Sequence, residues 1–106
     1  MEVIPLTAAP SQTFQTTLGG RNVTISVLQR GERAFADVAV DGRAVRQGAL
    51  CLDRTPLLAP GTADFPGNLM FVDLEGHSDP RWEGYGSRFA LFFYDEDEEA
   101  GTWGSL

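Results

Sequence analysis

Hydrophobic and polar positions alternate along the first half of the chain with a period of two. Phe14, Thr16 and Leu18 alternate with Gln15 and Thr17, and Gly19-Gly20 follows as a permissive hairpin turn. Val23, Ile25 and Val27 alternate with Asn22, Thr24 and Ser26, which predicts the returning strand. Arg30-Gly31-Glu32 reads as the next turn. Residues 34–40 then put Ala36, Val38 and Val40 on one face and Phe35 and Asp37 on the other. Asp41-Gly42 is the strongest hairpin signal, because a type I′ turn needs positive φ at both central positions. Residues 45–52 pair back, with Gly48 as a bulge or bend. The pattern predicts a four-stranded meander.

The second half changes character. Pro56, Pro60, Gly61, Pro66 and Gly67 punctuate residues 53–67, a density that disfavours helix interiors and central strands alike. This stretch is expected to be an ordered crossing or a loop with a functional surface. Residues 69–74 predict a short strand, apolar on both faces apart from Asp73. A second loop follows over 75–86. Residues 88–94 predict the last strand, and the unbroken apolar run 89–94 implies burial on both faces. No window supports a helix, and no internal repeat is visible. The expected fold is a single all-β domain over residues 1–94: a small antiparallel β-barrel or barrel-like sandwich of six to eight strands, with a strict two-sheet sandwich as the alternative.

Charge adds a boundary. The 106 residues hold 15 acids and 8 bases, a net charge of −7, and every base is arginine. Five of the acids form the run 95–99; without it 10 acids face 8 bases, a net of −2. The acidity therefore belongs to a C-terminal tail, 95–106, where packed like charges oppose continuation of the strand. The tail reads as a solvated end, or as a segment that docks on a basic patch with Trp103 as its anchor. The acidic balance excludes the basic footprint of a nucleic-acid binder. No apolar run approaches the length of a membrane-spanning helix. Residues 1–6 show no signal-peptide pattern, and the one cysteine, Cys51, cannot form an internal disulfide, so folding in a cytoplasm is expected. Cys51, between Leu50 and Leu52, reads as a small buried hydrophobe.

Candidate chemistry concentrates in the second loop. Asp73, Glu75, His77, Asp79 and Glu83 are ligand types for a divalent cation, and a metal-dependent enzyme would rest on Asp73, His77 and Asp79. The spacing fails the calcium-loop pattern: counted from Asp73, the twelfth position is Gly84 instead of glutamate, and Gly76 falls at the fourth place instead of the sixth. His77 reads as a loop hydrogen-bonder. Glycines 84 and 86 precede a strand, so no dinucleotide cradle is formed. No catalytic residues, cofactor or metal are expected. Arg81, Trp82 and Tyr85 in the same loop, with Arg88 beside it, are residue types enriched at interface hot spots. Equally, Trp82 could cap an open barrel end, and Arg88 could pair internally with Asp79 or Glu83. A peptide or small-ligand binding module using the same loops is the alternative to a structural protein.

Three segments carry a resemblance. They are Ile4-Pro5-Leu6 with residues 10–14 (Pro-Ser-Gln-Thr-Phe), residues 65–73 (Phe-Pro-Gly-Asn-Leu-Met-Phe-Val-Asp), and residues 79–89 (Asp-Pro-Arg-Trp-Glu-Gly-Tyr-Gly-Ser-Arg-Phe) running into Leu91 and Tyr94. In this order and spacing, with the Val40-Asp41-Gly42 hairpin between them, the chain resembles the cyanophage-type baseplate plug proteins of contractile-tailed bacteriophages over residues 3–94. Ser11, where asparagine is common, and Tyr85, where an aliphatic residue is common, depart from the pattern. The resemblance implies a non-enzymatic structural part of a phage or prophage tail. Its partners would be other baseplate proteins, the hub and the distal tail tube, with no nucleic acid or membrane, in an oligomeric assembly. It would be made in the host bacterial cytoplasm and end in the virion baseplate. On that reading loops 53–67 and 75–86 form the contact surface, with Arg81, Trp82, Tyr85, Phe65 and Pro66 as its residues.

Overall fold

The period-two pattern is realised as two antiparallel sheets that share one core. The computed structural model describes residues 2–58, 65 and 67–95. The strands among them are β1 (Glu2–Ile4), β2 (Ser11–Leu18), β3 (Arg21–Arg30), β4 (Arg33–Val40), β5 (Arg43–Leu50), β6 (Gly67–Asp73) and β7 (Phe89–Asp95). One sheet runs β2-β3-β4-β5 in chain order; the other runs β1-β7-β6. The sheets remain separate, and no barrel closes among the described residues. Of the two architectures expected, the open two-sheet arrangement is the one adopted.

Turn chemistry sets the meander. Gly19 and Gly20 both have positive φ, as do Asp41 and Gly42, which is the type I′ requirement. Between Arg30 and Arg33 only the first central residue, Gly31, has positive φ, the type II′ pattern. These tight turns hold register, so that Val23, Ile25 and Val27 of β3 lie opposite Val40, Val38 and Ala36 of β4 on the inner face. β5 departs from even pairing. Its register with β4 shifts twice, and Gly48 sits at φ 64° with its N–H donating to Asp37 Oδ1 at 2.6 Å. The anticipated irregularity at Gly48 is a β-bulge.

The inner faces meet in one cluster: Leu18, Val23, Ile25, Val27 and Val38 from the first sheet, and Ile4, Leu69, Phe71, Leu91 and Phe93 from the second. The other face of the β6–β7 pair carries a second buried cluster, Met70, Val72, Ala90, Phe92 and Tyr94. The two apolar runs are thus buried on both faces, as their lack of alternation predicts.

Three features differ from expectation. β1 pairs with β7 through Glu2, Val3 and Ile4; three residues ahead of Pro5 are too few to show a period. One 3₁₀ turn, Trp82–Gly84, interrupts the second loop. β7 extends into the acidic run, where Asp95 lies opposite Gly67, so the strand continues past Tyr94. Pro66, Trp103 and the rest of the acidic tail lie outside the described residues.

The first residues of the crossing after β5, up to Leu58, run beside β6 through isolated bridges. Asp53 bridges Phe71 and Pro56 bridges Met70. The Arg54 N–H donates to the Phe71 carbonyl at 2.8 Å, and the Leu57 N–H to that of Leu69 at 2.9 Å. The Asn68 side-chain amide closes the segment, accepting from the Leu58 N–H and donating to the Leu58 carbonyl.

Burial sorts the residues by expected cost. Leu91, fully buried, should lose about 2–5 kcal/mol of unfolding free energy on substitution by alanine. Val3, exposed beside it, should change by no more than about 0.5 kcal/mol. Chemical denaturation of the two variants checks the difference.

Candidate functional site

The loop between β6 and β7 is organised by the last residue of β6. Asp73 lies at the loop end of an otherwise apolar strand, and its side chain is completely buried. An unpartnered carboxylate there would be costly. Arg88, immediately before β7, satisfies it with a two-pronged contact: Nε donates to Oδ1 at 2.9 Å and Nη2 to Oδ2 at 2.8 Å. The Glu75 and Ser78 N–H groups donate to the same oxygens at 2.9 and 2.8 Å. Only arginine presents a planar fork of this kind. The Arg88 hydrogen bonds outweigh burial and hold the Asp73 carboxyl well below the usual carboxylate range. Asp73 in turn raises Arg88 above its ordinary value.

Two further aspartates extend the arrangement. Asp53 Oδ1 accepts the Asp73 N–H at 2.7 Å, and Oδ2 accepts Arg54 Nη1 at 2.8 Å. Arg54 has a left-handed backbone, φ 54°, uncommon for a residue other than glycine. Its guanidinium also donates to the Gly76 carbonyl at 3.0 Å and lies 3.2 Å from His77 Nδ1. Asp79 Oδ1 accepts the Asp53 N–H at 3.0 Å, while Oδ2 accepts Arg33 Nη1 of β4 at 2.9 Å. Crossing, second loop and meander are therefore fastened by three carboxylates and three guanidinium groups.

The loop residues singled out in the sequence take different positions. Arg81 is exposed; its carbonyl accepts the Gly84 N–H at 3.0 Å, and its side chain makes no hydrogen bond or ion pair among the described residues. Trp82 is half-buried against the core and its backbone N–H donates to Gln29 Oε1 at 3.2 Å. Tyr85 is only 4% exposed and stacks on Phe71 with ring centroids 5.8 Å apart. Its hydroxyl has no hydrogen-bond partner among the described residues, and burial pushes the phenol up. Phe65 is buried too, tilted against Phe93 at 5.6 Å. Tyr85 and Phe65 are thus core residues within this chain, while Pro66 lies outside the described residues. Arg88 pairs internally, but with Asp73 instead of Asp79 or Glu83.

The candidate metal ligands are dispersed or neutralised. Asp73 and Asp79 are engaged by arginines, and Glu75, His77 and Glu83 are exposed. Among the described residues no group of three or more His, Cys, Asp or Glu side chains is placed to hold a metal ion. Cys51 is buried, and burial pushes its thiol up to about 12. Asp53 and Arg54 were not singled out in the sequence. Their only signal is an acid–base pair at the start of the Pro/Gly-rich crossing. Beside the loop, Val3, Pro5, Leu6, Leu74, Phe89 and Phe92 line an apolar groove of about 380 Å³, where Leu74 and Val3 are more than half exposed.

Fold and loop together define a small all-β structural domain whose polar end is internally cross-braced. The chain belongs to the family described as cyanophage baseplate Pam3 plug gp18, whose model matches residues 1–97. It is a baseplate plug protein of the virion tail, and membership implies interaction with other baseplate components. No curated protein matches the chain.

Because the folded-state carboxyl of Asp73 lies below its unfolded value of about 3.9, its contribution to stability is complete above that pH and lost as pH falls through the folded value. The urea midpoint of the native protein should therefore drop below about pH 4, and Asp73→Asn should be less stable at neutral pH with a flatter acid limb. Parallel acid limbs in the two proteins would contradict the assignment. Cys51 should resist a thiol reagent at pH 8 until urea unfolds the chain; labelling of the native protein at the rate of a free thiol would contradict its burial.

Proposed function

We propose that this plug works by contact alone, through loop 75–86 and the described part of the 53–67 crossing, against neighbouring baseplate proteins such as the hub and the distal tail tube. It assembles in the host cytoplasm and stays in the virion. The observation that carries the reading is the cross-braced loop. Its backbone is held by Asp73 and Arg54, and Asp79 ties it to the crossing, yet the exposed Arg81 side chain has no partner among the described residues. A rigid loop binds without a large ordering cost, and an unpaired arginine supplies a fork for a partner carboxylate or carbonyl. The adjoining groove, with exposed Leu74 on its rim, adds an apolar seat. Half-buried Trp82 supports this surface from beneath.

Arg81→Glu and Leu74→Asp alter exposed side chains and should leave the thermal midpoint within experimental scatter. Each should weaken co-purification with the hub at least about tenfold, the scale of a minor hot spot. Undiminished co-purification of both variants would sink the loop as the contact surface. Alanine at Tyr85 would not serve, since it removes core packing worth about 3–5 kcal/mol.

A further inference from the structure

A sheet edge is a template for another strand, and soluble proteins blunt their edges. Three of the edges here are blunted. β1 is three residues long and is followed by Pro5. β5 carries Arg43 and Arg46 and is bulged at Gly48. The outer side of β6 is covered by the crossing through Asp53 and Pro56. Among the described residues β2 has none of these devices. Its eight residues, Ser-Gln-Thr-Phe-Gln-Thr-Thr-Leu, contain no charge and no proline, and its register with β3 runs unbroken from Ser11 to Leu18.

The free backbone groups on β2 follow from the ladder. The Gln29 N–H donates to the Pro10 carbonyl at 2.8 Å, which sets the phase of the antiparallel alternation. Gln12, Phe14, Thr16 and Leu18 accordingly turn their N–H and C=O groups towards β3. Those of Ser11, Thr13, Gln15 and Thr17 point away from the sheet.

We propose that β2 is a homotypic docking edge, pairing antiparallel with β2 of a second copy so that the two meanders form one continuous sheet. One two-fold register uses every outward group: Ser11 opposite Thr17 and Thr13 opposite Gln15 of the second copy. That register brings Phe14 against its own copy in a non-hydrogen-bonded pair, where side chains approach most closely. Phe14 is half-exposed and lines a groove of about 350 Å³ with Ile4, Pro5 and Thr7, so pairing gives it a ring partner and further burial. The occupant is a second copy because the register from Ser11 to Thr17 is self-compatible. From Ser11 to Thr17 polar residues meet polar residues, the aromatic meets the aromatic, and no like charges oppose. An edge without charge has nothing with which to select a charged foreign strand.

The test is sedimentation velocity of the full chain from micromolar to millimolar concentration. The native protein should pass from monomer to dimer. Thr13→Lys with Gln15→Lys places lysine opposite lysine twice and should raise the dimer dissociation constant at least about tenfold. Thr13→Lys with Gln15→Glu places opposite charges together in the same register and should keep the dimer. A native protein monomeric throughout overturns the proposal. So does a double-lysine variant that dimerises as tightly as the native chain, or a Lys/Glu variant that fails as the double-lysine variant does. Should either variant lose its strand circular dichroism, amide exchange on the native protein decides. Slower exchange at Thr13 and Gln15 at high concentration supports the pairing, and equal exchange at both concentrations overturns it.

Discussion

The second half of this fold depends on compensating one buried carboxylate. Asp73 ends β6 out of contact with solvent, and it is tolerable only while Arg88 and two backbone N–H groups hold it. Those donors are the start, the middle and the end of the loop that follows. Satisfying the charge therefore also dictates the path of the chain from β6 to β7. Asp53 repeats the device on the crossing, and Asp79 ties both to Arg33 of the opposite sheet. Apolar contact joins the two sheets without specifying direction, whereas the aspartates specify which segment lies against which.

Much of this architecture was legible in the sequence, for identifiable reasons. Alternation between Phe14 and Val40 and the glycines at 19, 20, 31 and 42 give the meander, because strand pairing and turn sterics are local. Separation into two sheets was not legible, since strand count is the same for an open and a closed arrangement. The loop was found, but its side chains were not sorted. Tyr85 and Trp82 are the chemistry of interface hot spots and equally that of cores, and only the 3₁₀ turn decides that Tyr85 points inward onto Phe71. Asp73 had a readable signal of another kind. A lone acid at the loop end of an apolar strand faces the start of the next strand, and the register sets Asp73 opposite Phe89, next to Arg88.

The arginines explain the near-neutral body. Arg21, Arg33, Arg54 and Arg88 each pair with an aspartate, Asp41, Asp79, Asp53 and Asp73 respectively. The Arg21–Asp41 pair is a partly exposed clamp across a hairpin and adds little stability. The other three converge on the cross-braced loop. A lysine-bearing version of the same charge balance would lack the fork that Asp73 receives from Arg88.

The pairing of β1 with β7 has a consequence for biosynthesis. The meander consists of neighbours in sequence and can assemble as soon as residues 11–50 have left the ribosome. The other sheet joins β1 to β7, so Val3 and Ile4 wait, unpaired, until residues 89–95 have been made. Closing so long a loop is entropically slow, which makes this sheet the late event in folding. Until then the inner face of the meander, Val23, Ile25, Val27 and Val38, stands open to water. A nascent plug is therefore most vulnerable to aggregation just before β7 emerges.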